Sequence, residues 1–263
     1  MADFILRPAE KNDAEQIIKI WHSSFGDSEA YIHDTLACGL LGSAVVAEMG
    51  GLVRSCMFAF DGLAAGSIPA AYLFALCTDM SCRGLGLGRA VCAYAAEKAQ
   101  ERGAGAVFLR PADVGLEKWY ADTFGAVAVS RSHVENFRPD LSLGEMAREI
   151  DAGEYFRLRN AAAWIIPETM LRAQNCIHRH WGGAFLACES GVVCAEKNAC
   201  GLLVRELTAA KPEKALASAA AYFGVEELGI LRTGGDGPPL MALPLAGGSP
   251  TLPEIPPLPF TLD

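Results

Sequence analysis

The stretch Cys82-Arg83-Gly84-Leu85-Gly86-Leu87-Gly88-Arg89 decides how this chain is read. Three glycines at alternate positions interrupt both helix and strand patterns. Before them, Ala71 to Thr78 is a near-continuous apolar run, as expected of a central strand covered on both faces. After them, Arg89 to Arg102 carries Val91, Tyr94 and Ala95 on one face, which predicts a helix stopped by Gly103. A Gly-rich turn from strand to helix leaves backbone N–H groups open at the helix N-terminus. Those donors and the helix dipole suit a pyrophosphate. Glycine admits positive φ and lets a ligand approach the backbone. Arg83, by its place in the loop, is a candidate phosphate contact.

Two nucleotide motifs are excluded. Gly84-x-Gly86-x-Gly88 does not match G-x-G-x-x-G, and the loop follows a hairpin instead of a first strand. A Walker loop requires Gly-Lys-Ser/Thr, which is missing.

Upstream, Phe4 to Arg7 reads as a first strand ended by Pro8. Asp13 and Gln16 have capping-box spacing ahead of a helix carrying Ile17, Ile20 and Trp21, which Gly26 stops. Tyr31 to Leu41 predicts a second short helix. Ser43 to Glu48 and Leu52 to Phe60 flank Met49-Gly50-Gly51, a hairpin signal. Asp61 to Pro69 reads as a Gly-rich connection. Downstream, Ala106 to Leu109 is a strand, and Leu116 to Phe124 is a helix ended by Gly125. Ala126 begins a strand that continues to Phe137. Phe137-Arg138-Pro139-Asp140 marks a boundary, dividing the chain into domains 1–138 and 139–263.

In the second half, Leu143 to Ala152 reads as helical. Gly183 to Glu189, Val192 to Glu196 and Gly201 to Leu207 read as antiparallel strands. Lys211 to Phe223 is a helix with Pro212 in its first turn, and Glu227 to Arg232 is a last strand. The order strand, helix, strand around Lys211–Phe223 repeats the order around the Gly loop. A duplicated fold that has lost its loop would explain it. Pro250 to Pro259 is Pro-rich and reads as extended.

The 263 residues are 51% hydrophobic and 20% charged, the balance of a globular chain with a substantial core. A formal net charge of -9 repels phosphate backbones and argues against nucleic acid as a partner. No apolar run reaches the ~20 residues of a membrane helix, and Met1 to Arg7 lacks a signal-peptide pattern. The nine cysteines include no C-x-x-C and read as buried reduced thiols of a cytoplasmic protein. Cys176, His178 and His180 lack a partner pair at ligand spacing, so no metal site is expected. Trp21, Trp119 and Tyr94 read as core residues. His22, His33, His178 and His180 read as surface or satisfied core groups.

Arg83 to Gly88 resembles the acyl-CoA loop of the GNAT acetyltransferase superfamily, Gln/Arg-x-x-Gly-x-Gly/Ala. Phe4-Ile5-Leu6-Arg7-Pro8-Ala9 with Asp13 resembles the family's start. Leu76-Cys77-Thr78 stands where its central strand pairs with pantetheine. Trp119-Tyr120-Ala121-Asp122-Thr123-Phe124-Gly125 resembles its aromatic-Tyr helix. The resemblance covers about residues 3 to 137. Met80, where many members carry Pro, and Ala126, where an aromatic is common, depart from the pattern.

The resemblance implies an α/β (α+β) GNAT fold, with a mixed, splayed central sheet flanked by helices. A smaller second α+β domain, GNAT-like without a CoA loop, would follow. It implies an N-acetyltransferase with acetyl-CoA as co-substrate and a small-molecule amine as acceptor, reacting by direct attack in a ternary complex. Thr78 would hold the pantetheine arm. Arg83, Gly84, Leu85, Gly86, Leu87, Gly88 and Arg89 would hold the pyrophosphate. A backbone N–H would stabilise the oxyanion, and Tyr120 would protonate the leaving thiolate. Asp79, Glu48 and His133 all remain candidates for the general base. A non-catalytic acyl-CoA-binding or regulatory protein is the alternative. The second half is also similar to that of two-domain GNAT proteins of the Eis type, in which the chain's final carboxylate, here Asp263, reaches the active site. Acceptor pockets in the family are built from variable loops, here Gly26 to Ser43, Asp61 to Pro69 and the second domain. The sequence leaves the oligomeric state open, a homodimer included.

Overall fold

A computed structural model describes residues 3–159, 164–198 and 201–245. Strand β1 (Ile5–Pro8) leads into α1 (Ala14–Phe25) and α2 (Glu29–Ala37). Gly26, at φ 78°, ends α1 in the left-handed conformation that glycine adopts without strain. The expected capping box of Asp13 with Gln16 does not form. Asp13 is claimed by Arg7, whose Nη1 and Nη2 donate to it at 2.7 and 2.9 Å. Gln16 instead accepts the Val53 N–H at 2.8 Å and ties the helix to the sheet.

Next come β2 (Ala44–Met49), β3 (Leu52–Ala65) and β4 (Ile68–Thr78). The expected connection at 61–69 is strand. β3 and β4 stay paired through Ala65↔Ile68, leaving Gly66 and Ser67 as a two-residue turn. Helix α3 (Leu87–Glu101), β5 (Ala106–Leu109), α4 (Val114–Phe124) and β6 (Val127–Ser130) follow. The single strand expected from Ala126 to Phe137 breaks at Arg131. Its second part, β7 (Ser132–Phe137), joins a different sheet.

The expected helix from Leu143 to Ala152 is also absent. The chain forms β8 (Arg148–Ile150), and Asp151 then caps α5 (Ala152–Leu158) by accepting the Glu154 N–H at 2.7 Å. A short β9 (Trp164–Ile165) pairs with β3 and precedes α6 (Glu168–His180). Strands β10 (Ala184–Cys188), β11 (Gly191–Asn198) and β12 (Gly201–Ala209), helix α7 (Pro212–Phe223) and β13 (Leu228–Thr233) match the sequence expectation closely. A last strand, β14 (Leu240–Leu243), was not foreseen.

Two sheets result. The first runs β1-β2-β3-β4-β5-β14-β6, and the second β7-β13-β12-β11-β10-β8. β7 reaches into the second sheet, while β14 returns to the first and wedges between β5 and β6. Both sheets contain a parallel strand–helix–strand unit, β4-α3-β5 and β12-α7-β13. Two sheets flanked by helices are therefore present, each with one such unit, and only the first unit carries a Gly loop.

Helices α1, α2, α5 and α6 contribute to one continuous apolar core that includes Ile17, Trp21, Phe58, Tyr155, Leu171 and Phe185. Helices α3 and α4 cover the other face of the first sheet, and α7 packs on the second sheet. No described helix is long and apolar enough to cross a membrane. The thiols differ from the uniformly buried set expected: Cys38 is exposed, and Cys176 and Cys188 are half-buried. Cys200, Asp263 and the Pro-rich tail lie outside the described residues.

Candidate functional site

The site begins where β4 leaves β5. The two strands pair in parallel from Ala70↔Ala106 to Leu73↔Leu109, and β4 then runs on alone on that side to Thr78. Its register with β3 slips between Cys56 and Phe58. Opposite that slip, Ala75 sits at φ 50°, the one non-glycine residue with positive φ among those described. A bulge of this kind unpairs backbone groups and re-aims them, here at the mouth of the splay.

A cavity of about 480 Å3 opens there. Leu73, Phe74, Ala75 and Leu76 form its β4 wall, and Arg110 and Pro111 mark the end of β5. Tyr120 faces it from α4, where Asp113 caps the helix by accepting the Leu116 N–H at 2.7 Å and Gly125 stops it at φ 67°. Trp119 and Phe124 pack around the Tyr120 ring, with centroids 4.8 and 6.2 Å away. Its hydroxyl makes no hydrogen bond to another described residue. Burial, reinforced by the neighbouring Cys92, Tyr72 and Cys77, pushes the phenol well above its ordinary range, so it stays protonated.

The Gly loop lies at the far end of β4. Asp79 turns the chain by accepting the Ser81 N–H at 2.9 Å, and Arg54 holds its other oxygen at 2.6 Å. The Ser81 bonds, and then Arg54, keep the Asp79 carboxyl below the usual range. Gly84 and Gly86 take φ 79° and 84°, and Gly86 is the cap of α3. The first backbone bond of α3 runs from Ala90 N–H to Gly86 O at 3.0 Å. The amides of Leu87, Gly88 and Arg89 therefore have no partner among the described residues. Leu87 is buried and anchors the turn, whereas Arg83, Leu85 and Arg89 are exposed. Amides unclaimed by any described residue at a helix N-terminus, with the exposed Arg83 and Arg89 in the same turn, suit an anion.

Leu76 joins the two regions. It lines the cavity, and its side chain would meet a Cβ on Gly88 at 3.8 Å. Thr78 stands beside it, its Oγ1 2.9 Å from Ser55 Oγ. Thr78, the loop from Arg83 to Arg89 and Tyr120 thus follow one another along β4 and its splay.

The general-base candidates do not enter the cavity. Glu48 pairs with Arg7 at 2.8 Å, Asp79 with Arg54, and His133 Nδ1 lies 3.0 Å from the Gly234 carbonyl. The charged groups that do line it are Asp27 and Arg110, neither singled out by the sequence. Of the loops expected to build the acceptor pocket, 26–43 supplies Asp27 and Tyr31, and the second half supplies Trp181 and Pro238. The 61–69 segment supplies none, because it is a strand pair. Trp21 is core, as expected, and also forms cavity wall. His178 is a buried group 2.8 Å from Glu196, with its pKa lowered by burial against the raising effect of that carboxylate.

Residues 13–126 match the model of the acetyltransferase (GNAT) family. Among curated proteins, no sequence matches the chain. Solved structures share its fold. A GCN5-related N-acetyltransferase from Kribbella flavida is 18% identical with a TM-score of 0.66, covering 92% of this chain and 72% of that one. A GCN5-related N-acetyltransferase from Anabaena variabilis is 15% identical, at TM-score 0.66 and the same coverage. Eis1 from Mycobacterium abscessus is 13% identical at TM-score 0.62, covering 91% of this chain and 73% of that one. At these identities the likeness is one of fold.

Proposed function

We propose that this chain, whose residues 13–126 carry a GNAT acetyltransferase domain, transfers the acetyl group of acetyl-CoA to a primary amine of a small-molecule acceptor. One observation carries the reading. The unclaimed amides at the start of α3 and the cavity that Tyr120 lines lie along the same unpaired end of β4, where Leu76 lines the cavity and packs beside Gly88.

The amides from Gly84 to Arg89 hold the pyrophosphate, with Arg83 and Arg89 as counter-charges. Thr78 and the free edge of β4 hold the pantetheine arm. The backbone at the Ala75 bulge donates to the carbonyl oxygen as the amine attacks. The nitrogen gives up one proton to solvent water, the carbon–sulfur bond breaks, Tyr120 gives its proton to the departing thiolate, and the phenolate takes a proton back from solvent. An ordinary phenol, at about 10, already lies above a thiol, at about 8.5, and burial raises the Tyr120 phenol further, so this transfer is uphill and is driven by the collapse of the tetrahedral species. On the same reading the chain divides into an acetyltransferase domain, 1–138, and a second domain, 139–263, which exchange β7 and β14. The second domain, lacking a Gly loop, serves as a wall of the acceptor pocket through Trp181 and Pro238.

The test is a calorimetric and thermal-unfolding titration with acetyl-CoA of the wild type and Gly86→Glu. A ligand that binds only the folded state adds roughly 2.7 kcal/mol at a hundred times its dissociation constant. Stabilisation of the wild type and not of the variant supports the site, and release of thiol with an amine panel then supports the reaction. No response from either protein removes the reading.

A further inference from the structure

We propose that Cys38 and Cys176 are a reactive dithiol, a modification site at which a small-molecule disulfide oxidises the pair to a bridge between the C-cap of α2 and α6. The pair lies apart from the loop at the start of α3, and its test needs no acetyl-CoA.

The packing of the two helices brings the thiols together. Tyr31, Thr35 and Cys38 fall at i, i+4 and i+7, on one face of α2 and its C-cap. Cys176 and His180 fall at i and i+4 on α6. At one end of the contact, the Tyr31 and His180 rings meet at 4.5 Å between centroids. Ile32 and Leu36 share one buried core with Ala173 and Ile177, so the register of the two helices is held by packing. From the Tyr31–His180 contact, α2 runs on to Thr35 and Cys38 while α6 runs back one turn to Cys176. Both neighbours act on the Cys176 thiol through their side chains. Burial and then the adjoining Cys38 push it up to about 11, and the Thr35 hydroxyl draws it down.

The two thiols are free, Cys38 exposed and Cys176 half-buried. Both line a cavity of about 1020 Å3 between α2, α5 and α6. Its lining mixes Asp34 and Asp151 with Arg157 and Arg172, a polar opening that a zwitterionic disulfide can enter. Exposure makes Cys38 the thiol that reacts first. Cys176, kept protonated around neutral pH, is the resolving partner.

The exchange balances in two steps. Cys38 gives its proton to solvent, and its sulfur attacks one sulfur of the small disulfide. The other sulfur leaves as a thiolate and takes a proton from solvent. Cys176 then gives up its proton to solvent and attacks the Cys38 sulfur, and the second small thiolate departs and is protonated. Two protein thiols are oxidised to one disulfide, and one small disulfide is reduced to two thiols. The bridge joins positions far apart in sequence, so it restricts the unfolded chain more than the native one.

The test uses the full chain, reduced and freed of reductant, with glutathione disulfide as the probe. Remaining thiols are blocked with N-ethylmaleimide, and non-reducing peptide mass spectrometry maps the bonds. The expected product is a Cys38–Cys176 peptide pair without bound glutathione, reopened by dithiothreitol, and its thermal unfolding lies above that of the reduced chain. Cys176→Ser should stop at a glutathione adduct on Cys38. Cys38→Ser should form no bridge, and its Cys176 should take up glutathione at least about tenfold more slowly than Cys38 does in Cys176→Ser. Thermal unfolding checks that both variants keep the fold. A bridge to any other cysteine, Cys200 included, overturns the proposal. So does glutathione that stays on Cys38 in the wild type, or a wild type that reacts no faster than Cys38→Ser. An oxidised chain that unfolds below the reduced one overturns it as well, because the native packing would then hold the two sulfurs apart.

Discussion

A Cβ placed on Gly88 would stand 3.2 Å from Thr78 Oγ1, so the first turn of α3 rests directly on the end of β4. Thr78 cannot easily retreat. Its hydroxyl lies 2.9 Å from Ser55 Oγ, and Ser55 in turn donates to the Cys77 carbonyl at 2.7 Å. Gly88→Val is expected to lower stability by about 1–3 kcal/mol, the usual cost of overpacking. It should also weaken acetyl-CoA binding, because the amide cradle is pushed off the strand. Urea unfolding with and without acetyl-CoA measures both effects. A variant that unfolds like the wild type and keeps its ligand response would show that the contact can relax.

Much of this site was legible because its demands are local. Gly84 and Gly86 announce positive φ, and β5 fell on Ala106–Leu109 as the apolar run and Pro111 indicated. The illegible parts depend on distant partners. Helix α6 buries Met170, Leu171, Gln174, Ile177 and His178, a helical spacing whose two polar members hide the apolar face. Among the described residues those two meet each other at 3.0 Å, and His178 also meets Glu196 and Cys194 from β11. Strand β14 is four residues after a Gly/Pro loop, and it becomes a strand only because β5 and β6 leave a gap for it. Asp27 reads as a surface turn residue until Trp21 is seen to hold it.

Asp13 supplies a pH test. The Arg7 hydrogen bonds are the main cause of its lowered carboxyl pKa, helped by the Glu10 N–H at 2.7 Å and opposed by burial. A folded-state pKa below the unfolded one means that the stabilisation is complete above the ordinary carboxylate range of about 4. It is lost as pH falls through the lower, folded value. Asp13→Asn should therefore cost about 1–3 kcal/mol at neutral pH, as charge-assisted bonds do. The difference from wild type should shrink as the pH drops below 4. Urea unfolding at a series of pH values gives both numbers, and a difference that stays constant in acid would contradict the assignment.

The second half depends on a buried ion pair. Arg159 and Glu206 side chains are 5% and 10% exposed, and Arg159 donates Nη2 at 2.5 Å and Nε at 2.8 Å. Tyr155 adds its hydroxyl to Glu206 at 2.7 Å. Breaking such a pair from one side leaves a buried charge without its bidentate partner and costs about 3–5 kcal/mol. Arg159→Met should fall in that range. Arg159→Met with Glu206→Leu should recover part of the loss, because the uncompensated carboxylate is gone. Chemical denaturation of the three proteins decides it: a double variant no more stable than Arg159→Met would place the cost in packing instead of charge.

Tyr120 separates chemistry from binding. Its hydroxyl points to no described partner, so Tyr120→Phe should leave the unfolding temperature and the acetyl-CoA affinity close to wild type. If the phenol protonates the thiolate, its loss should lower kcat about a hundredfold or more, within the range of general acid catalysis. The pH profile gives an independent reading. Burial raises the phenol pKa, so the acid form persists through neutral and mildly alkaline pH. The wild-type kcat should then show no descending alkaline limb below the ordinary tyrosine value of about 10. Steady-state thiol release from pH 6 to about 10, with both proteins, checks the two expectations together. An unchanged kcat in Tyr120→Phe would reduce Tyr120 to a core aromatic and leave the leaving group to be protonated by solvent.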